Sequence, residues 1–133
     1  FDFFPEAHYH WVGHDMKKGL AILTFGEKAK IDPSFNPDLD YFLPLTFESG
    51  LKMLGVLSFT HRAEKRFGVG HNGHVSDALH YYGDWLRDSD QAIVAGDFNN
   101  SVIWDKGNKE SNFYQTNQKI ASDGRCAGCL RSD

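Results

Sequence analysis

The first sustained apolar run in the chain is Gly19-Leu20-Ala21-Ile22-Leu23-Thr24-Phe25, opened by one glycine and followed by another at Gly26. A short run of this kind between glycines has the length and punctuation of a buried strand. Upstream, residues 1 to 18 are rich in rings and imidazoles (Phe1, Phe3, Phe4, His8, Tyr9, His10, Trp11, His14) but show no clear period, which predicts loop. Residues 28 to 40 carry Pro33 and Pro37 among several Asp and Asn, which predicts a second loop. Residues 41 to 47 form another strand pattern. Pro44 lacks the N–H a ladder needs, so it argues for an edge position or a bulge. Glu48-Ser49-Gly50 is a turn, and residues 51 to 60 give the strongest strand signal, apolar on both faces. Two strands joined this tightly make an antiparallel hairpin.

Residues 67 to 73 are glycine-rich loop, after which His74 or Ser76 opens a helix, Ser76 being a plausible N-cap. Ala78, Leu79, Tyr82, Trp85 and Leu86 recur at steps of three and four and build one apolar face. Residues 87 to 90 close that helix with a polar turn. Gln91-Ala92-Ile93-Val94-Ala95 is a buried strand ended by Gly96, which leaves Asp97 at its C-terminal tip. Residues 97 to 110 read as loop, 112 to 122 as a weaker helix and 123 to 133 as a tail. Strands mixed with helices imply an α/β layered fold.

At 133 residues the chain suits one domain or half of a larger one, and 41% hydrophobic residues are enough for a real core. The net charge of -4 argues against a nucleic-acid binder that works by phosphate neutralisation alone. It leaves room for an enzyme that meets phosphate through a bound cation. Two cysteines, Cys126 and Cys129, are too few for a disulfide scaffold. They would be half a zinc site, whose other half would have to come from His71 and His74 far upstream, so two incidental thiols are the commoner reading. No stretch reaches the ~18 apolar residues of a membrane span, and the opening residues lack the layout of a secretion signal. A soluble protein is the expectation, with its compartment left open and the cytoplasm one that fits. The chain opens on Phe1, which suggests processing or a piece of something longer.

The sharpest chemical signal is Ala92-Ile93-Val94-Ala95-Gly96-Asp97-Phe98-Asn99-Asn100. A strand delivers a carboxylate and an amide two residues apart where the chain leaves the sheet, and side chains at that spacing in extended backbone share a side. Such a pair can hold a hard cation or position a phosphate and a water. Gly96 lets the backbone turn without crowding them. The bland alternative is a common turn in which Asp97 caps the next segment.

In order along the chain, four features resemble the endonuclease/exonuclease/phosphatase superfamily, which includes deoxyribonuclease-like nucleases, abasic-site endonucleases, sphingomyelinases and inositol phosphatases. They are Lys18-Gly19-Leu20-Ala21-Ile22-Leu23, then Leu57-Ser58-Phe59-Thr60-His61, then the helix 78 to 86, then Ile93-Val94-Ala95-Gly96-Asp97-Phe98-Asn99. Ser101-Val102-Ile103-Trp104-Asp105-Lys106 extends the likeness, which covers roughly residues 10 to 125. The resemblance implies a partial two-sheet α/β sandwich of the deoxyribonuclease-like type. It implies hydrolysis of a phosphoester, in nucleic acid or a small phosphodiester, with Mg²⁺ or Mn²⁺ as cofactor. Asp97 would contact the metal or the attacking water, Asn99 would hydrogen-bond the phosphate or that water, and His61 would donate to a phosphate oxygen. A lone His at a strand end is otherwise more often structural.

Two parts of the family pattern are missing. It needs an Asn and a metal-binding Glu on strands before residue 19, and Glu6 is a poor match with no predicted strand ahead of it. It ends with an Asp-His pair, yet no His follows Asp97. The tail from Asp123 through Cys129 departs from the expected apolar strand, as a truncated or frame-shifted reading frame would. One sheet is therefore expected intact and the other incomplete, with an exposed edge. Losing members of a catalytic unit removes most of its rate, so the chain by itself is expected to hydrolyse very weakly or not at all. Clear Mg²⁺-dependent cleavage would contradict that. The competing readings are a non-catalytic binding module on the same scaffold and a small zinc or redox protein built on Cys126 and Cys129. His80, and the basic turn Arg62, Lys65 and Arg66, weigh less, because solvated charges are the commoner explanation.

Overall fold

A computed structural model of the chain describes residues 3 to 58 and 73 to 98. Strands β1 (Ala7–Asp15) and β2 (Lys18–Phe25) pair antiparallel as a two-stranded sheet. Strands β3 (Ala29–Ile31), β4 (Phe42–Phe47), β5 (Lys52–Leu57) and β6 (Ala92–Asp97) form a second sheet in that order. The helix α1 (Gly73–Arg87) lies in the chain between β5 and β6. The described residues are thus α/β, with two sheets and one helix.

Two apolar clusters bind these elements into layers. Ile22, with Val12 and Leu20, packs on Leu43, Leu45, Met53, Ala29 and Phe47, so the hairpin lies against one face of the four-stranded sheet. Gly55 makes room for this: a Cβ there would stand 2.5 Å from Ile22 Cδ1. On the opposite face α1 sets Val75, Ala78, Leu79, Tyr82 and Leu86 on Phe42, Leu54, Val56 and Leu39, with Trp85, Ala92, Val94 and Phe98 at the margin. The three-and-four spacing along α1 puts those side chains on one stripe. The helix begins at Gly73, so Ser76 lies inside it and is not its N-cap. Arg87 in the last turn suits the negative end of the helix dipole and pairs with Asp84. No helix among the described residues is long and apolar enough to cross a membrane.

The loop expected over residues 1 to 18 is largely strand. Its period of two was hidden because imidazoles occupy an inward face. His8, His10 and Val12 lie opposite Thr24, Ile22 and Leu20, while Tyr9, Trp11 and Gly13 lie opposite Leu23, Ala21 and Gly19. Residues directly opposite in an antiparallel pair share a face. On the outer face the Trp11 ring lies so close over Gly19 that a Cβ there would stand 2.3 Å from it. The loop expected over 28 to 40 likewise contains the short β3, which pairs with β4.

The hairpin expected from residues 41 to 60 is present as β4 and β5. Pro44 is not at the sheet edge, since β4 is flanked on both sides. Its carbonyl accepts from Asp32 N (2.9 Å), one residue past the end of β3. The proline nitrogen points the same way, towards Asp32, whose carbonyl accepts instead from Phe35 N (3.0 Å), so the missing donor orphans no acceptor.

Asp32 ties this corner together. Its Oδ2 accepts from Thr46 Oγ1 (2.6 Å) and its Oδ1 from Ser34 N (2.9 Å). Burial pushes this carboxyl up, but the Thr46 and Ser34 hydrogen bonds outweigh it and hold the pKa below the ordinary 3.8. The Trp85 indole N–H is close enough to favour the carboxylate yet makes no hydrogen bond. A depressed folded-state pKa contributes stability that is present above the unfolded value and lost as pH falls through the folded one. Urea unfolding of Asp32→Asn should therefore show a deficit against wild type near neutrality that shrinks below the ordinary 3.8. A deficit independent of pH would contradict this account.

Candidate active site

Strands β5 and β6 run parallel, in register from Lys52 opposite Ala92 to Leu57 opposite Asp97. Both therefore finish at the same rim of the sheet. Ser58 N donates to Asp97 O at 2.8 Å, which extends the ladder one step past β5. The helix that links them must run back antiparallel, so its N-terminus returns to this same rim and its positive dipole end is on that side. In open α/β sheets the carboxyl ends of parallel strands are where ligands are met, because the loops there diverge.

Asp97 is the last residue of β6 and is exposed. By alternation it shares a face with Ile93 and Ala95, opposite Met53, Gly55 and Leu57. That is the face on which the β1–β2 sheet packs, and Ile93, 42% exposed, lies beyond its cover. Strand β6 is thus only half buried, rather than buried as its apolar sequence predicts. Ala92, Val94 and Phe98 point to the helix layer.

Gly96 does not end the strand, which continues through Asp97. Its φ is +145°, and a Cβ there would lie 1.9 Å from Val56 O. The β5 backbone fills the space where any side chain would go. The glycine is needed for this close approach, and the Asp97 carboxylate gets its position from it.

Tyr41, which the sequence marks only as the start of a strand, also sits at the rim. It has φ +65° although it carries a large side chain, and its carbonyl accepts from Leu57 N at 2.9 Å. A bulky residue held in the left-handed region is a strained one, and such strain clusters where a site must be shaped. Only the Asp40–Tyr41 pair in a proline-rich stretch ending at a strand hints at it.

Of the residues singled out from sequence, Asp97 stands at the rim, while His61 and Asn99 lie outside the described residues. So do His71, Arg62, Lys65, Arg66, Trp104, Cys126 and Cys129. Glu6 is exposed just before β1, and His80 is exposed on α1. Among the described residues no group of three or more His, Cys, Asp or Glu side chains is arranged to hold a metal ion. A polar depression lined by Ser49, Lys52, Asp88, Ser89 and Gln91 lies at the opposite end of the β5–β6 pair. It is formed by turns at the strand starts and is remote from Asp97 by the length of the ladder.

No protein-family model, curated protein or solved structure matches this chain.

Proposed function

We propose that the chain is part of a divalent-cation-dependent phosphoester hydrolase of the endonuclease/exonuclease/phosphatase kind, on a deoxyribonuclease-like two-sheet sandwich. The observation that carries this reading is the exposed Asp97 carboxylate at the shared carboxyl rim of two parallel strands, on the face where two sheets meet. One exposed carboxylate suits Mg²⁺, which binds through one or two carboxylates and keeps waters and phosphate oxygens for the rest. When bound, Mg²⁺ or Mn²⁺ supplies positive charge to the non-bridging phosphate oxygens and acidifies a water.

This chain's own residues would divide the remaining work. Asp97 holds a hard oxygen donor at a fixed height above the sheet, set by Gly96. The Asn99 amide would hydrogen-bond a phosphate oxygen or the attacking water. The His61 imidazole would donate to a phosphate oxygen as charge develops. His61 stands three positions after Ser58 and Asn99 two positions after Asp97. Chain connectivity alone limits those spans to roughly 11 Å and 7 Å, and the Ser58–Asp97 hydrogen bond joins their anchors.

Titration of Mn²⁺ into the full chain, followed by the paramagnetic resonance of the free ion, tests the reading. Wild type is expected to bind the ion, and Asp97→Asn to bind it roughly tenfold more weakly or worse, a loss that even supporting groups of metal sites cause. Equal affinity in the two proteins would remove Asp97 from the proposal. The competing reading, a non-catalytic module on the same scaffold, takes its support from the lack of a three-ligand cluster among the described residues. It expects no ion binding in either protein.

A further inference from the structure

The seam between the two sheets contains polar atoms that the proposed chemistry does not use. His10 lies opposite Ile22, which is buried against Leu43 and Leu45, so its imidazole is on the inner face of the β1–β2 sheet. Its Nε2 is buried and makes no hydrogen bond. Thr24, 6% exposed, sits diagonally across the same face, and its Oγ1 is buried without a hydrogen bond as well. His8 lies opposite Thr24, two residues from His10 on the same side.

We propose that this seam is an acid-released joint, in which protonation of His10 detaches β1 and β2 from the four-stranded sheet. The step takes one proton from solvent onto the imidazole and breaks no covalent bond. Among the described residues the buried Nε2 has no hydrogen-bond partner, so a cation formed there is left without a compensating bond. The carboxylate on that sheet face, Asp97, is exposed on β6, the edge strand, beyond the cover of the hairpin. On β2 the only charged residue is Lys18, at the hairpin end opposite Asp15. On β3 it is Lys30, which is exposed, and β4 has none. Asp32, just past β3, is engaged by Thr46 and Ser34 on the other side of the sheet. Glu6 and Glu27 lie on exposed flanks. Burial, with His8 adding to it, lowers the His10 pKa below the ordinary 6.5. The detached hairpin, where the imidazole is solvated, binds the proton more tightly. Lowering pH through the ordinary value therefore favours detachment, and the bias is complete below the seam's own value. Release would lift Ile22 from Gly55 and uncover Leu43 and Leu45.

Amide hydrogen exchange of the full chain at about pH 7.5 and about pH 5, either side of the ordinary imidazole value, tests the joint. After correction for intrinsic exchange, the β1–β2 amides are expected to lose protection several-fold more than those of β4 and β5 at the lower pH. His10→Gln should abolish the difference, and His8→Gln should reduce it. Equal protection at both pH values in wild type, or an undiminished difference in His10→Gln, overturns the proposal. Should His10→Gln fail to fold, the ring resonances of His10 in wild type decide, since a midpoint at or above the ordinary value overturns it too.

Discussion

Gly96→Ala is expected to destabilise the protein by about 4 kcal/mol, near the top of what single substitutions do. Two effects add. The backbone at Gly96 has φ +145°, where an L side chain is strained by about 1–3 kcal/mol. The new Cβ would also lie 1.9 Å from Val56 O, 2.7 Å from Val56 C and 2.9 Å from Val56 N. All three are backbone atoms of the neighbouring strand, so no rotamer change relieves the overlap. Either β6 shifts away from β5 and breaks the ladder that ends at Leu57–Asp97, or Gly96 abandons its conformation and turns the Asp97 carboxylate. Both routes disturb the rim. Denaturant unfolding gives the stability, and exchange of the β6 amides reports which route is taken. A loss under about 1 kcal/mol, the size of an ordinary surface change, would show that the close approach is not obligatory.

Tyr82→Ala should cost a similar amount, roughly 3–5 kcal/mol, the range for removing a buried ring. Tyr82 is fully buried at the centre of the α1 cluster, with the Tyr81 ring 4.8 Å and the Trp85 ring 6.0 Å away, both edge-on. Its hydroxyl oxygen accepts from Asn36 N at 2.9 Å, which anchors the loop before β4 to the helix. Burial pushes the phenol up to about 12, so it stays neutral at any ordinary pH. Tyr82→Phe keeps the ring and deletes only that acceptor. It should cost about 1–2 kcal/mol, the penalty of leaving a partly buried N–H unsatisfied. The two variants together separate packing from anchoring. Equal losses would mean that the hydrogen bond, not the ring, holds the helix to the loop.

Much of this architecture is legible from residues 19 to 97 read locally. The apolar runs at Leu20–Leu23 and Leu54–Leu57, the turn at Ser49–Gly50 and the stripe Ala78, Leu79, Tyr82 and Leu86 all signal their elements. Asp97 at the tip of a strand was legible for the same reason, because Gly-Asp after an apolar run is short-range information. His8 and His10 misled, since imidazole counts as polar in any pattern and here both stand on the inward side of β1, His10 with a buried ring nitrogen and His8 at the exposed end. Pro44 misled because its missing donor faces Asp32, just past the end of β3, whose carbonyl is already taken by Phe35 N, and that turn is not visible in the strand pattern.

Neighbouring residues alone specify β2, β4, β5, β6 and α1 and place Asp97 at the end of β6, because periods of two and of 3.6 are local properties of the chain. Packing of distant segments is what sets β5 and β6 side by side and parallel, bringing Ser58 to Asp97 and the Val56 carbonyl against Gly96. It also decided that the β1–β2 hairpin closes over Gly55. Those facts belong to pairs of segments far apart in the chain. Their contacts form only when the burial of Ile22, Phe42, Leu54 and Tyr82 outweighs the entropy of bringing them together.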